Sequence, residues 1–329
     1  MRQLRYGLTI ACLAALAMAA AGRAAHAQAS DYPNRVVRII SDSAPGTAVD
    51  VGLRVIADGM SQYWKQQVIV VNQPGAAGSI SARVASQAAP DGYTLYVPAL
   101  SVFLAVPGKA PNLPLMVPRD FMAVGYTVDQ PMAIGVTPKI PVKTLSDLIA
   151  LAKTEPGKLS YAVTGVGRLT HLTGELLQMR TGIQLQMVPY SGNSSQAITD
   201  VYSGRVALEI EGYTGMAPAF QNGNMRPLAV GSAKRLPEVP NLPTIAETVP
   251  GLIASGWQAV LAPNGTPPDI IEKASAGLRA ALNMPLVQQR LATRGSYARP
   301  MTPAEVTAFI RDQQALWKPA IERIAGQMK

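Results

Sequence analysis

Residues able to do chemistry are few in this chain and widely spaced. His171 is the one histidine beyond the first 27 residues, and Cys12 is the one cysteine. A single cysteine excludes a disulfide framework, a cysteine-based zinc site and a CxxC redox pair. No GxSxG, HExxH or Walker A sequence occurs, and Gly165-Val166-Gly167 lacks the third glycine of a dinucleotide fingerprint. A hydrolytic dyad would have to pair His171 with one of many serines, and a lone histidine is more often structural. No catalytic residue, metal or cofactor is therefore expected.

Two segments have the composition of anion-holding loops. Pro45-Gly46-Thr47-Ala48-Val49-Asp50 joins an apolar run ending near Ile40 to a helical pattern carrying Leu53 and Ile56. Thr164-Gly165-Val166-Gly167-Arg168-Leu169-Thr170-His171 follows a run at Leu159–Ala162 and leads into a helix through Leu176. A small-residue loop between a strand's carboxyl end and a helix N-terminus presents free N–H groups and the positive end of the helix dipole. Such a loop suits a carboxylate, and glycine lets backbone approach it without a Cβ in the way. The plainer reading makes both segments ordinary turns, with Asp50 and Thr170 as caps. Two of them in one chain point to a single cleft between two domains.

The elements that must position these loops alternate in type. Val36–Ile40, Val68–Val71, Thr94–Val97, Ala133–Val136, Leu159–Ala162, Leu185–Val188, Ala207–Ile210, Leu228–Val230 and Gln258–Leu261 read as short apolar strands. Between the first two, Leu53, Ile56, Met60 and Tyr63/Trp64 recur on one helix face. Thr144-Leu145-Ser146-Asp147 and Thr302-Pro303-Ala304-Glu305 open further helices. Near-continuously apolar strands alternating with helices predict mainly parallel α/β sheets flanked by helices. Proline-rich turns at Pro107–Pro118 and Leu236–Pro243 read as loops.

The N-terminus predicts export. Arg2 and Arg5 precede an apolar and small-residue stretch, Leu8–Gly22, and Ala25-His26-Ala27 is a small-x-small cleavage signal. This is the pattern of a secretory signal peptide; the stretch is short for a membrane span, which needs ~20 residues. Cleavage after Ala27 removes Cys12 and His26. It also removes three of the 29 Lys+Arg, leaving 26 against 20 Asp+Glu, a net +6. Basic residues are scattered without a run or interleaved aromatics, which points away from nucleic acid. The 302 residues left of 329 fit two α/β domains better than one large sheet.

Six further motifs occur in order: Asn72-Gln73-Pro74-Gly75-Ala76-Ala77-Gly78, Pro90-Asp91-Gly92-Tyr93-Thr94-Leu95, Val188-Pro189-Tyr190-Ser191-Gly192, Leu228–Arg235, Val239–Glu247 and Leu261–Pro267. From about Tyr32 to the C-terminus the chain resembles the substrate-binding proteins of tripartite tricarboxylate transporters, the Bug family of periplasmic proteins. In the family the first loop reads Pro-Pro-Gly-Gly-x-x-Asp; Pro45, Gly46 and Asp50 match, and Thr47 replaces the second glycine. The second loop resembles Ser-Gly-x-Gly-(Thr/Ser)-x-x-His-Leu; Thr164, Gly165, Gly167, His171 and Leu172 match, and Arg168 replaces a small residue.

The resemblance implies a two-domain periplasmic binding fold of type II character with two hinge crossings. Domain one is expected over residues 32–130 plus 255–329, and domain two over 131–254. A small carboxylate would sit between them and be delivered to a membrane permease of one large and one small subunit, the receptor being a monomer. The ligand-binding candidates are Ser43, Gly46, Thr47, Ala48, Asp50, Ser101, Thr164, Gly165, Gly167, Arg168, His171, Ser191 and Glu211. Arg168, if it faces the cleft, would read a second carboxylate and favour an aliphatic or aromatic dicarboxylate; Asp42 there would repel a tricarboxylate. An exported hydrolase or lyase using His171, and a receptor presenting its loaded state to a sensor kinase, are the alternatives.

Overall fold

The computed structural model describes residues 31–105, 113–190 and 194–327. The leader at 1–27, Ser191 and much of the Pro107–Pro118 turn lie outside the described residues. The first units run β1 (Val37–Ser41), α1 (Ala48–Trp64), β2 (Val68–Asn72), a 3-10 turn at Ala76–Gly78, α2 (Ser79–Ser86), β3 (Thr94–Val97) and α3 (Leu100–Phe103). A 16-residue strand β4 (Phe121–Val136) follows. Next come α4 (Leu145–Thr154), β5 (Ser160–Val163), α5 (Leu169–Thr181), β6 (Gln186–Pro189), α6 (Ser194–Ser203), β7 (Leu208–Gly212), α7 (Tyr213–Gln221), β8 (Arg226–Val230) and α8 (Ile245–Thr248). The chain closes with β9 (Ser255–Pro263), α9 (Pro268–Leu282), α10 (Pro285–Ala292), β10 (Tyr297–Ala298) and α11 (Pro303–Gln327).

Outer ladders are parallel, as the strand–helix alternation predicts: β1 pairs with β2 and β3, and β5 with β6 and β7. The ladders around β4 and β9 are antiparallel, so the sheet is mixed. β4 belongs to two sheets. Its residues Phe121–Pro131 pair with β9, while Met132–Val136 pair with β7 and β8. The chain therefore crosses between sheets once along β4 and again at Ala254–Ser255. At the crossing three backbones meet in a ring: Gly231 N–H donates to Met132 O (2.7 Å), Ala254 N–H to Gly231 O (2.9 Å) and Met132 N–H to Ala254 O (2.9 Å). A Cβ on Gly231 would lie 1.9 Å from Ala254 O, so only glycine fits there.

Local signals explain the helices. Thr47 caps α1 by accepting the Asp50 N–H, and Leu53, Ile56 and Met60 bury the predicted face, each worth ~1.5–3 kcal/mol when fully buried. Thr144 and Asp147 form a reciprocal capping box at α4, and Thr302 and Glu305 exchange the same two bonds at α11. Helix α11 begins beside the first sheet and reaches α5 beside the second. Its Val306, Ile310, Trp317 and Ile324 share one core with Phe103 and Tyr126 on one side and with Leu172 and Leu176 on the other. Among the described residues no helix is long and apolar enough to cross a membrane.

Candidate functional site

The two glycine loops have opposite internal chemistry. In the first, Asp50 is 2% exposed and both its oxygens are taken. Oδ2 accepts Gly46 N–H (2.9 Å) and Arg54 Nε–H (3.1 Å), and Oδ1 accepts Asn72 Nδ2–H (2.8 Å) and lies 3.1 Å from Arg54 Nη2. Asn72 reaches back to Ser43 O and accepts from Arg54, closing a ring of polar contacts. Burial pushes the Asp50 carboxyl up, but the bonds from Arg54, Asn72 and Gly46 and the Arg54 charge outweigh it and hold it below the usual carboxylate value. Asp50 thus staples its own loop, with Gly46, Asn72 and Arg54 donating to its two oxygens. Ser43 Oγ lies 2.7 Å from Ser41 Oγ. Asp42 accepts the Ala99 N–H with both oxygens. Burial pushes its carboxyl up despite that bond.

The second loop is braced from beneath by an imidazole. His171, 2% exposed, accepts the Gly167 N–H at Nδ1 (3.0 Å), and its Nε2 stands 3.6 Å from Glu175 Oε1. Tyr161 and Gln178 donate to that same Glu175 oxygen, and Arg323 of α11 reaches Oε2 at 2.8 Å. Burial pushes Glu175 up, and His171, Arg323 and Tyr161 overcome it, holding the carboxyl below its usual value. The Gly167 N–H bond to Nδ1 makes His171 a brace for the loop.

Arg168 at the head of α5 has no acidic partner among the described residues. Its side chain folds over Gly165, whose Cβ would stand 2.7 Å from Arg168 Cδ. It lines a cavity of about 400 Å³ at the chain crossing, with Met132 and Gly256 from β4 and β9. Ala99, Leu100, Ser101 and Leu104 line the first-sheet side; Thr164, Gly167, Thr170, Leu172 and Glu211 line the other. Thr164 Oγ donates to Glu211 Oε2 at 2.5 Å, and Gly212 N–H donates to Oε1 at 2.8 Å. The β5–β7 register explains this pair: Ala162 stands opposite Glu209, and two residues on Thr164 comes beside Glu211.

Of the candidates read from sequence, Ser101, Thr164, Gly167, Arg168 and Glu211 meet in this cavity, with Gly165 beneath Arg168 and His171 behind Gly167. Ser43, Gly46, Thr47 and Asp50 are not among its described lining residues, and the Ala48 side chain lies outside what is described. Thr170 does, although sequence reading treated it only as a cap; its exposed-polar type gave no hint that the hydroxyl would be buried. A larger cavity of about 710 Å³ lies between α7 and the 238–243 turn, touches neither glycine loop, and is lined mainly by Tyr213, Phe220, Leu242 and neighbouring prolines.

The sequence profile described as "Tripartite tricarboxylate transporter family receptor" matches residues 53–325. This chain belongs to that family. Protein BugT of Bordetella pertussis is 35% identical over 314 residues, 95% of this chain and 96% of its own. A solved structure of an R. palustris protein with adipate is 31% identical with a TM-score of 0.70, covering 90% of this chain and 98% of that one. MatC from Rhodopseudomonas palustris with bound malate is 26% identical with a TM-score of 0.66, covering 88% and 100%. The α/β fold of this family of receptors is therefore the fold of this chain, and its members include periplasmic binding proteins such as BugD.

Proposed function

We propose that this chain is a non-enzymatic periplasmic solute receptor that captures a small dicarboxylate and delivers it to a membrane permease of one large and one small subunit. The observation that carries the reading is Arg168: a guanidinium without an acidic partner among the described residues, on a residue that lines a cavity at the crossing between sheets. Its planar fork suits bidentate carboxylate pairing, and Ser101 adds a hydroxyl from the opposite side. Two relatives hold adipate and malate, both dicarboxylates. Export would follow cleavage after Ala27. The lobes are proposed as residues 32–130 plus 255–329, and 131–254, closing on the ligand by flexing of β4 and β9.

A thermal-shift screen of mono-, di- and tricarboxylates tests this. A ligand at 100 times its Kd adds about 2.7 kcal/mol, so dicarboxylates should raise the melting temperature well above the monocarboxylates. No shift with any of them would overturn the reading. Recovery of a chemically altered ligand would favour the hydrolase or lyase alternative.

A further inference from the structure

The Thr164–Glu211 edge of the cavity is an acceptor surface. Thr164 has one hydroxyl proton and gives it to Glu211 Oε2, leaving only lone pairs for the cavity. Glu211 is a carboxylate, and Gly212 N–H occupies part of Oε1. Both residues line the cavity, so their side chains can receive hydrogen bonds but have no proton to offer a ligand oxygen. The α5 side has the converse character. Arg168 is donor-only, and Thr170, two residues on, is 5% exposed and lines the cavity; its hydroxyl oxygen is itself shielded and makes no hydrogen bond among the described residues. A buried hydroxyl without a partner is destabilising, and a rotation that brings it onto a ligand oxygen would relieve that.

A plain dicarboxylate fits one side of this cavity and not the other, because any carboxylate oxygen brought against Thr164 and Glu211 would set acceptor against acceptor. We infer that Glu211, fixed by Thr164, is a specificity-determining residue that accepts a hydrogen bond from a donor substituent, hydroxyl or ammonium, on the carbon beside the carboxylate held by Arg168 and Thr170. This deepens the proposed function and rests on its reading of the cavity as a carboxylate site. The selection works in both directions. A ligand with the donor satisfies the remaining lone pairs of Glu211; one without it displaces water from them and puts no donor in its place.

The test is calorimetry with succinate, malate and aspartate, which share a four-carbon dicarboxylate skeleton and carry no substituent, a hydroxyl or an ammonium. Expected is at least tenfold tighter binding of malate, aspartate or both than of succinate by the wild-type protein. Glu211→Gln, which keeps the shape and an acceptor for Gly212 N–H, should shrink that preference at least fivefold by weakening the substituted acids while leaving succinate unchanged or tighter. A larger loss for aspartate than for malate identifies the donor as ammonium; a comparable or larger loss for malate identifies hydroxyl. Thr164→Val, which removes the proton that orients Glu211, should act in the same direction, and serves should Glu211→Gln melt early. Succinate binding as tightly as both substituted acids, or one common loss for all three in both variants, would overturn this inference while leaving the carboxylate receptor intact. Failure of the wild-type protein to bind any of the three would overturn both.

Discussion

The loops at Ala44–Asp50 and Thr164–His171 share composition and position, yet one spends its charge inside the protein and the other keeps it available. Asp50 collects donors from Gly46, Asn72 and Arg54, so the first loop is neutralised and self-contained. The second loop has no acid; a histidine holds its backbone, and Arg168 has no acidic partner among the described residues and lines a cavity. A glycine-rich strand-to-helix turn is thus only a scaffold. What it does depends on whether its charged residue finds a partner within the fold.

The sharpest way to break this contrast is to remove the two charges in turn. Asp50→Ala should lower unfolding stability by about 2–4 kcal/mol, since it leaves several donors unpaired, while changing dicarboxylate affinity less than about threefold beyond the fold defect. Urea denaturation and calorimetry read the two effects; a binding loss far exceeding the stability loss would return Asp50 to the ligand. Arg168→Ala should do the reverse, weakening dicarboxylates about tenfold to a hundredfold, from ~1.5–3 kcal/mol for a charged hydrogen bond, with an unchanged denaturation midpoint. Equal losses for a dicarboxylate and its matching monocarboxylate would show that Arg168 does not read a second carboxylate.

Smaller effects sharpen it. His171→Gln should cost about 1 kcal/mol of stability, the worth of one neutral hydrogen bond, and weaken binding only a few-fold; a larger binding loss would place the imidazole in ligand contact. The smallest effects are in pH dependence, where Asp50 and Asp42 act oppositely. The folded carboxyl of Asp50 lies below its unfolded value of about 3.9, so its contribution is full above that value and is lost as pH falls through the folded pKa. Asp42 is pushed up in the folded state, so its contribution exists below about 3.9 and is lost as pH rises through the folded pKa. Asp50→Asn should therefore flatten the acid limb of a stability–pH curve, and Asp42→Asn should modestly raise the neutral plateau. Parallel curves for both variants and the wild type would contradict this.

Features encoded locally were legible in the sequence. The capping boxes at Thr144 and Thr302 depend on residues three apart, and the α1 face on a single period. The first eleven residues of β4 escaped because Gly125, Asp129, Gln130 and Pro131 interrupt its apolar run; its stability comes from β9, far along the chain. The site split the same way. Arg168 and His171 stood out as residues in a loop, whereas the closure of Asp50 by Asn72 depends on the β1–β2 register and the Thr164–Glu211 contact on that of β5 and β7. Composition carries no information about register when strands are joined by helices.

The three-backbone ring of Met132, Gly231 and Ala254 makes position 231 a point of mutational intolerance. The clash there is with a carbonyl oxygen and not with the tip of a flexible side chain, so no rotamer change relieves it, and alanine is refused as firmly as tryptophan. In a saturation library scored for soluble protein, this surface-remote codon should stand out as glycine alone. Its loss would loosen both sheets at once, because the same three strands of backbone end one and begin the other.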